Sequence, residues 1–299
     1  MTLLWQTRRP MGERASRTAV FVCQGRAVAH ETLAVGRFED PTAMVLLRDD
    51  ERTPVERART KVRSRSWSRR IDVELLGRQA EAMAARTVAI DDAVREAGNP
   101  QLVLLGAGLD GRAWRMPELR SVDVYEVDHP VSQQDKRNRV AGLRAIAGSV
   151  RFVAVDLAGG RLGAALAGAG HLESSPTTWV LEGVIPYLTP SDAAATVAAV
   201  AGRSAPGSRM VVSYQIGSPR AALGRLVART LLLVAGRGDP MAHEPRRSSW
   251  TPDSMRALLA GAGLNVTDDL DLATLARVLV VPTRHVRTSR VAIADWDQQ

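Results

Sequence analysis

Three glycines and three acids are the residues of this chain whose types and spacing could do chemistry. Gly106, Gly108 and Gly111 stand in a G-x-G-x-x-G spacing directly after the apolar run 102–105, and Asp128 closes a second strand, 122–127. Glycines so spaced permit a tight turn and close approach of backbone to a ligand, and an acid about 20 residues on can bond a ribose hydroxyl. Asp156 follows the run 150–155 in the same way, and Glu182 follows 177–181. Ligands of open α/β sheets sit outside the carboxyl ends of the strands. Three strand-end carboxylates opposite a glycine turn therefore describe a nucleotide-type site.

The other residues narrow the ligand. Four residues after Tyr125, Tyr187 and Tyr214 come His129, Ser191 and Ser218, so the Tyr-x-x-x-Lys pair of a hydride-transfer enzyme is absent. One cysteine, Cys23, cannot build a multi-cysteine zinc site, and no metal is expected. No Gly-Lys-Ser/Thr follows the glycines, which removes phosphate transfer. S-adenosylmethionine uses every group present. It carries no phosphate, so the glycines need only admit its methionine part. One acid would take the ribose hydroxyls, another the adenine amino group, and a third would lie near the sulfonium. A basic residue must still meet the carboxylate.

These residues need a scaffold that brings strand ends together. After Asp128 the pattern alternates: helix 130–147, strand 150–155, helix 162–169, strand 177–181, helix 191–201, strand 209–214. Strands alternating with helices mean right-handed crossovers and a parallel sheet. Ahead of the sheet, residues 10–100 read as helical, with a helix from 18 to 30, a break at 37–41, a new helix from Pro41 and a long helix over 71–97. Gly98-Asn99-Pro100 stops that helix before the first strand.

At 299 residues the chain can bury a large core, and no run of 18 apolar residues offers a membrane span. The first 14 residues are too short and too early in charge for a secretory signal. A single cysteine excludes an internal disulfide and fits a cytoplasmic setting. The net charge of +8 is carried almost wholly by arginine, with only Lys61 and Lys136 as lysines. That usage points to a GC-rich bacterial genome and a solvated surface bias. Residues 52–70 are dense in arginine, yet Trp67 alone is thin stacking provision for nucleic acid.

The run Leu104-Leu-Gly-Ala-Gly-Leu-Asp-Gly-Arg112 resembles the first motif of the leucine carboxyl methyltransferase family, which includes bacterial polyketide O-methyltransferases. Glu126-Val-Asp-His-Pro130, Asp156-Leu157 and Leu181-Glu-Gly-Val-Ile-Pro-Tyr-Leu188 match it further. So do Phe21-Val-Cys-Gln-Gly-Arg-Ala-Val28, Phe38-Glu-Asp-Pro41, the stretch 83–92 and Glu244-Pro-Arg-Arg-Ser-Ser-Trp-Thr-Pro252. The resemblance spans most of residues 18–294. It implies that Arg86 pairs with the cofactor carboxylate and that Gly106, Ala107 and Gly108 line the methionine part. Asp128 would hold the ribose, and Asp156 with Leu157 the adenine. Glu182 would lie beside the methionine amino group and the acceptor, as the candidate catalytic residue. Members with a protein substrate have a lysine in the Cys-Gln-Gly-Arg stretch. Here Gln24 stands nearest, with Arg26 close by.

The implied architecture is α/β: a class I methyltransferase (Rossmann-like) fold with a seven-stranded, mostly parallel sheet in a single domain, 1–299. An N-terminal helical extension would occupy 1–100 and the core 101–299. A lid insertion is expected at about 217–250, around the apolar stretch 223–234, with late strands at 264–268 and 289–294, the last antiparallel. The implied reaction is methyl transfer from S-adenosyl-L-methionine to a carboxylate or phenolic hydroxyl of a small natural product, polyketide- or peptide-like. A carboxylate needs no general base, whereas a phenol would benefit from one, and His129, His243 and His285 are the candidates. A homodimer is compatible with this reading, and neither a membrane nor nucleic acid is expected as a partner. The rival readings are a nucleic-acid methyltransferase and a non-catalytic subunit that binds S-adenosylmethionine.

Overall fold

Strands β1 (Gln101–Leu105) and β4 (Thr177–Leu181) are buried along their whole length and lie side by side at the centre of the sheet. The computed structural model describes residues 16–60, 67–217, 246–281 and 288–296. Around the central pair lie β2 (Asp123–Asp128), β3 (Ser149–Ala154), β5 (Arg209–Gln215), β6 (Leu264–Asp271) and β7 (Ser289–Trp296). The order is β3-β2-β1-β4-β5-β7-β6. All neighbours pair in parallel except β7, which runs antiparallel to both β5 and β6. This is the mostly parallel seven-stranded sheet expected. Strand order reverses between β1 and β4, and such a switch point opens a crevice at the strands' carboxyl ends.

The pleat of β1 builds two cores. Leu102 and Leu104 enter a cluster with the N-terminal helices, and Val103 and Leu105 enter another with Trp179, Leu166 and Val197. On the first face lie α1 (Arg17–Ala29), α2 (Thr42–Leu46), α3 (Asp49–Arg59) and the 31-residue α4 (Trp67–Ala97). The buried side of α4 alternates Leu76, Met83, Val88 and Ile90 with Ala80, Ala84, Ala85, Ala89 and Ala93. Those alanines let the helix backbone lie close to α1 and to β4, β5 and β7. The N-terminal helices are thus packed into the core beside the sheet.

The crossovers are α5 (Arg112–Arg115), α6 (Pro130–Val140), α7 (Leu162–Gly168) and α8 (Pro190–Ala201), and later come α9 (Pro252–Ala260) and α10 (Leu272–Val278). The helix predicted over 130–147 is shorter than expected and ends at Val140. The chain then turns so that Ile146 and Ala147 donate to Ala113 O at 2.9 and 3.0 Å. Backbone bonds to α5 outweigh continuation of a polar helix through Gly142 and its neighbours. Strand β6 is longer than the predicted 264–268, running to Asp271 through a register shift between Val266 and Asp268. The expected lid falls on 218–245, with the apolar stretch 223–234 and His243, and these lie outside the described residues, as does His285. Among the described residues no helix is long and apolar enough to cross a membrane.

Candidate active site

The β1–loop junction is built on Gly106. Its φ of +72° is a conformation that side chains rarely adopt, and a Cβ there would lie 2.3 Å from Val184 Cγ2. Gly106 N and Ala107 N both donate to Val127 O, at 2.8 and 3.0 Å, which ties the loop to the end of β2. Gly111 serves a different purpose from a ligand cradle. A Cβ on it would meet Thr42 Oγ1 at 2.0 Å and Asp40 Oδ1 at 3.2 Å, so this glycine admits the Asp40–Thr42 turn against the loop.

Asp128 closes the same junction from β2. Its Oδ2 accepts from Gly108 N at 2.6 Å and its Oδ1 from His129 N at 2.7 Å. Burial raises its carboxyl above the ordinary range despite those two backbone bonds. Asp156 is exposed and caps the turn 157–159 by accepting from Ala158 N at 3.0 Å. His129 caps α6, its Nδ1 accepting from Val131 N at 3.4 Å.

These junctions surround one cavity of about 700 Å³ at the carboxyl edge of β1, β2, β3 and β4. The cofactor-contact residues implied by the resemblance all border it: Arg86, Gly106, Ala107, Gly108, Asp128, Asp156, Leu157 and Glu182. Pockets that hold cofactors commonly measure about 300–1,000 Å³. Arg26 and the first turn of α1 border it too, as do Tyr187 and Arg247. Gln24 does not: its Nε2 donates to Glu51 O at 2.8 Å, toward α3.

Glu182 stands between two arginines. Arg86 donates from Nε to Oε1 at 2.8 Å, and Arg112 donates from Nη1 to Oε2 at 2.8 Å. Burial alone would raise this carboxyl, but Arg86, Arg112 and Arg26 outweigh it and hold the group far below the carboxylate range. Glu182 is therefore held as a carboxylate by its arginine partners. Arg86 and Glu182 pair directly, whereas the resemblance gave each its own partner at the methionine end of the cofactor, the carboxylate for Arg86 and the amino group for Glu182.

The ion network behind that pair was assigned no role from the sequence. Arg112 Nε donates to Asp91 Oδ1 at 2.8 Å, and its Nη1 also reaches Asp110. Arg115 Nη1 lies 2.7 Å from Asp91 Oδ2, and Arg26 Nε donates to Asp40 at 2.8 Å and its Nη2 to Leu109 O. The signal available was Asp91, five residues after Arg86 on one helix, together with two arginines after the glycines. Neither has a pattern until the fold stacks them. A second buried pair lies under the loop, where Lys136 Nζ donates to both oxygens of Glu126 at 3.0 Å and to Asp110 O at 2.6 Å.

A seven-stranded sheet of this order, with its cavity at the switch point, is a class I methyltransferase fold. A solved candidate methyltransferase of Thermobifida fusca YX shares it, with a TM-score of 0.52 at 14% identity over 96% of this chain and 97% of that one. Residues 19–201 match the leucine carboxyl methyltransferase family, and the chain belongs to it. A protein of Mycobacterium sp. (strain JLS), named as a candidate S-adenosyl-L-methionine-dependent methyltransferase, is 36% identical over 141 residues, covering 47% of each chain. One of Mycolicibacterium smegmatis with a similar name is 41% identical over 145 residues, covering 46% of this chain and 47% of its own length. The chain thus spans about half the length of the curated relatives it matches.

Proposed function

We propose that the chain is an S-adenosylmethionine-dependent O-methyltransferase whose acceptor is a carboxylate or phenolic hydroxyl of a small natural product, polyketide- or peptide-like. The observation that carries this reading is the convergence of the glycine loop, Asp128 and the Arg86–Glu182 pair on one cavity. The residues fit the cofactor. Gly106 borders the cavity where the methionine part would lie, and Asp128 presents a half-buried carboxylate whose two backbone donors leave acceptor capacity for ribose hydroxyls. Asp156 and Leu157 border the end where adenine would sit.

When bound, S-adenosylmethionine supplies an electrophilic methyl group. The chain's part is then to bind, orient and exclude water. Glu182, kept ionised by two arginines, would accept from the ammonium of the methionine part, and Arg86 would face its carboxylate. Leu104, Val180, Val184 and Leu188 give the cavity an apolar wall. Of the histidines considered as bases, His129 borders the cavity with Nδ1 engaged in capping α6. Among the described residues of the arginine-rich stretch, Arg52 pairs with Asp49 and Arg59 with Glu31 within the chain.

Isothermal titration is expected to show S-adenosylhomocysteine binding, with none of NAD or NADP. Tight NAD binding in its place would overturn the reading and leave the fold intact. Arg86→Lys keeps the charge but loses the planar fork that holds Glu182, and should weaken S-adenosylhomocysteine several-fold. Arg78→Lys, on the same helix in an exposed i,i+4 pair with Glu74, should leave affinity unchanged. Equal, near-native affinities for both variants would remove Arg86 from the site.

A further inference from the structure

We infer that Arg112 is a positioning residue for this site: from the start of α5 it clamps one oxygen of Glu182 while Arg86 on α4 holds the other, fixing the carboxylate's orientation and charge toward the cavity. The inference rests on the methyltransferase reading and deepens it. Arg112 does not border the cavity, and its side chain is 2% exposed, so anything it does for a ligand passes through Glu182. Its guanidinium meets three carboxylates from three parts of the chain: Asp91 of α4, Asp110 of the loop and Glu182 beyond β4. Its own backbone N also donates to Asp110 Oδ1 at 2.8 Å, which sets the loop conformation that aims the side chain.

The charged groups facing Glu182 are Arg26 from α1, Arg86 from α4 and Arg112 from α5, with Asp91 and Asp110 behind Arg112. Without Arg112, Oε2 loses its partner in a buried setting. A carboxylate stripped of one cationic partner there takes up a proton more readily. Lysine can restore charge at this position but cannot reach all three carboxylates from one plane.

The test is the dissociation constant of S-adenosylhomocysteine for the full chain, Arg112→Met and Arg112→Lys, measured by titration calorimetry from pH 5.5 to 8.5. With Arg112 present, Glu182 stays ionised across this range. With it removed, the Glu182 carboxyl rises, so the protonated fraction grows as pH falls. The ratio of Arg112→Met to wild-type constants is expected to be about three to ten at pH 8 and to widen toward pH 5.5. Arg112→Lys should show a smaller ratio that stays flat. A ratio that does not change with pH for Arg112→Met overturns the inference. Should Arg112→Met fail to fold, a double-mutant cycle of Arg112→Lys with Glu182→Gln decides. Arg112→Lys should weaken binding at least twofold with Glu182 present and not at all in the Glu182→Gln background, whereas additivity overturns the inference. Wild-type protein that binds no S-adenosylhomocysteine overturns the functional reading and this inference with it, whereas binding by wild type with a flat ratio overturns this inference alone.

Discussion

Asp128→Ala is expected to weaken S-adenosylhomocysteine binding about a hundredfold and to leave the thermal midpoint almost unchanged. Hydrogen bonds to a charged group contribute about 1.5–3 kcal/mol each, so two ribose hydroxyls on one carboxylate correspond to roughly a hundredfold or more in affinity. Stability should be insensitive for a separate reason. Burial raises the Asp128 carboxyl, against the bonds from Gly108 and His129, so the folded protein carries the ionised group at a cost. Removing it relieves that cost while releasing two backbone donors. Calorimetric titration and a thermal melt of the same preparation separate the two effects. An affinity loss under tenfold in a protein with a native melt would take Asp128 out of ligand contact.

Lys136→Met should act in the opposite way, costing stability first. Lys136 and Glu126 are each about 2% exposed in their side chains, and the lysine also lies 4.8 Å from the centre of the Trp114 ring. Removing one partner of a buried pair typically costs about 3–5 kcal/mol, because the other charge is left uncompensated. Burial already pushes the Glu126 carboxyl up to about 7 against the pull of Lys136. Without the lysine it rises further. Above pH 7 the wild-type folded and unfolded states both hold Glu126 ionised, while the folded variant still binds the proton. The variant's deficit relative to wild type should therefore grow as pH rises above about 7, and shrink toward pH 5 where Glu126 is neutral in both folded proteins. Urea midpoints at pH 5, 7 and 8.5 measure this. A deficit independent of pH would show that Glu126 does not sense the lysine.

Much of the framework was legible in the residues alone. The unbroken apolar run at 102–105 and the β-branched and aromatic run at 177–181 mark buried strands, and β1 and β4 are those strands. The glycine spacing and the acids at 128, 156 and 182 locate the carboxyl edge of the sheet, because a buried strand must end where a turn residue or a carboxylate needs water or a ligand. Local pattern also marked α1 and α4 and their stops. It failed at 141–147, where bonds to Ala113, far away in sequence, replace the last helical turns.

The order of the strands could not be read, since β7 enters between β5 and β6 from the far end of the chain. Nor could the partners of the charges. A lone Arg86 on a helix is by pattern a surface residue, and only the seating of α4 over the sheet brings it 2.8 Å from Glu182. Residues 26, 40, 91, 110, 112 and 115 are scattered through motifs of different elements, and no spacing rule connects them. Sequence by itself determined the types of element and the edge at which the acids collect, because both follow from local periodicity and turn chemistry. The tertiary structure alone decided which acid each arginine meets. Ion pairing depends on separations of a few ångströms, and those exist only after both faces of the sheet are packed.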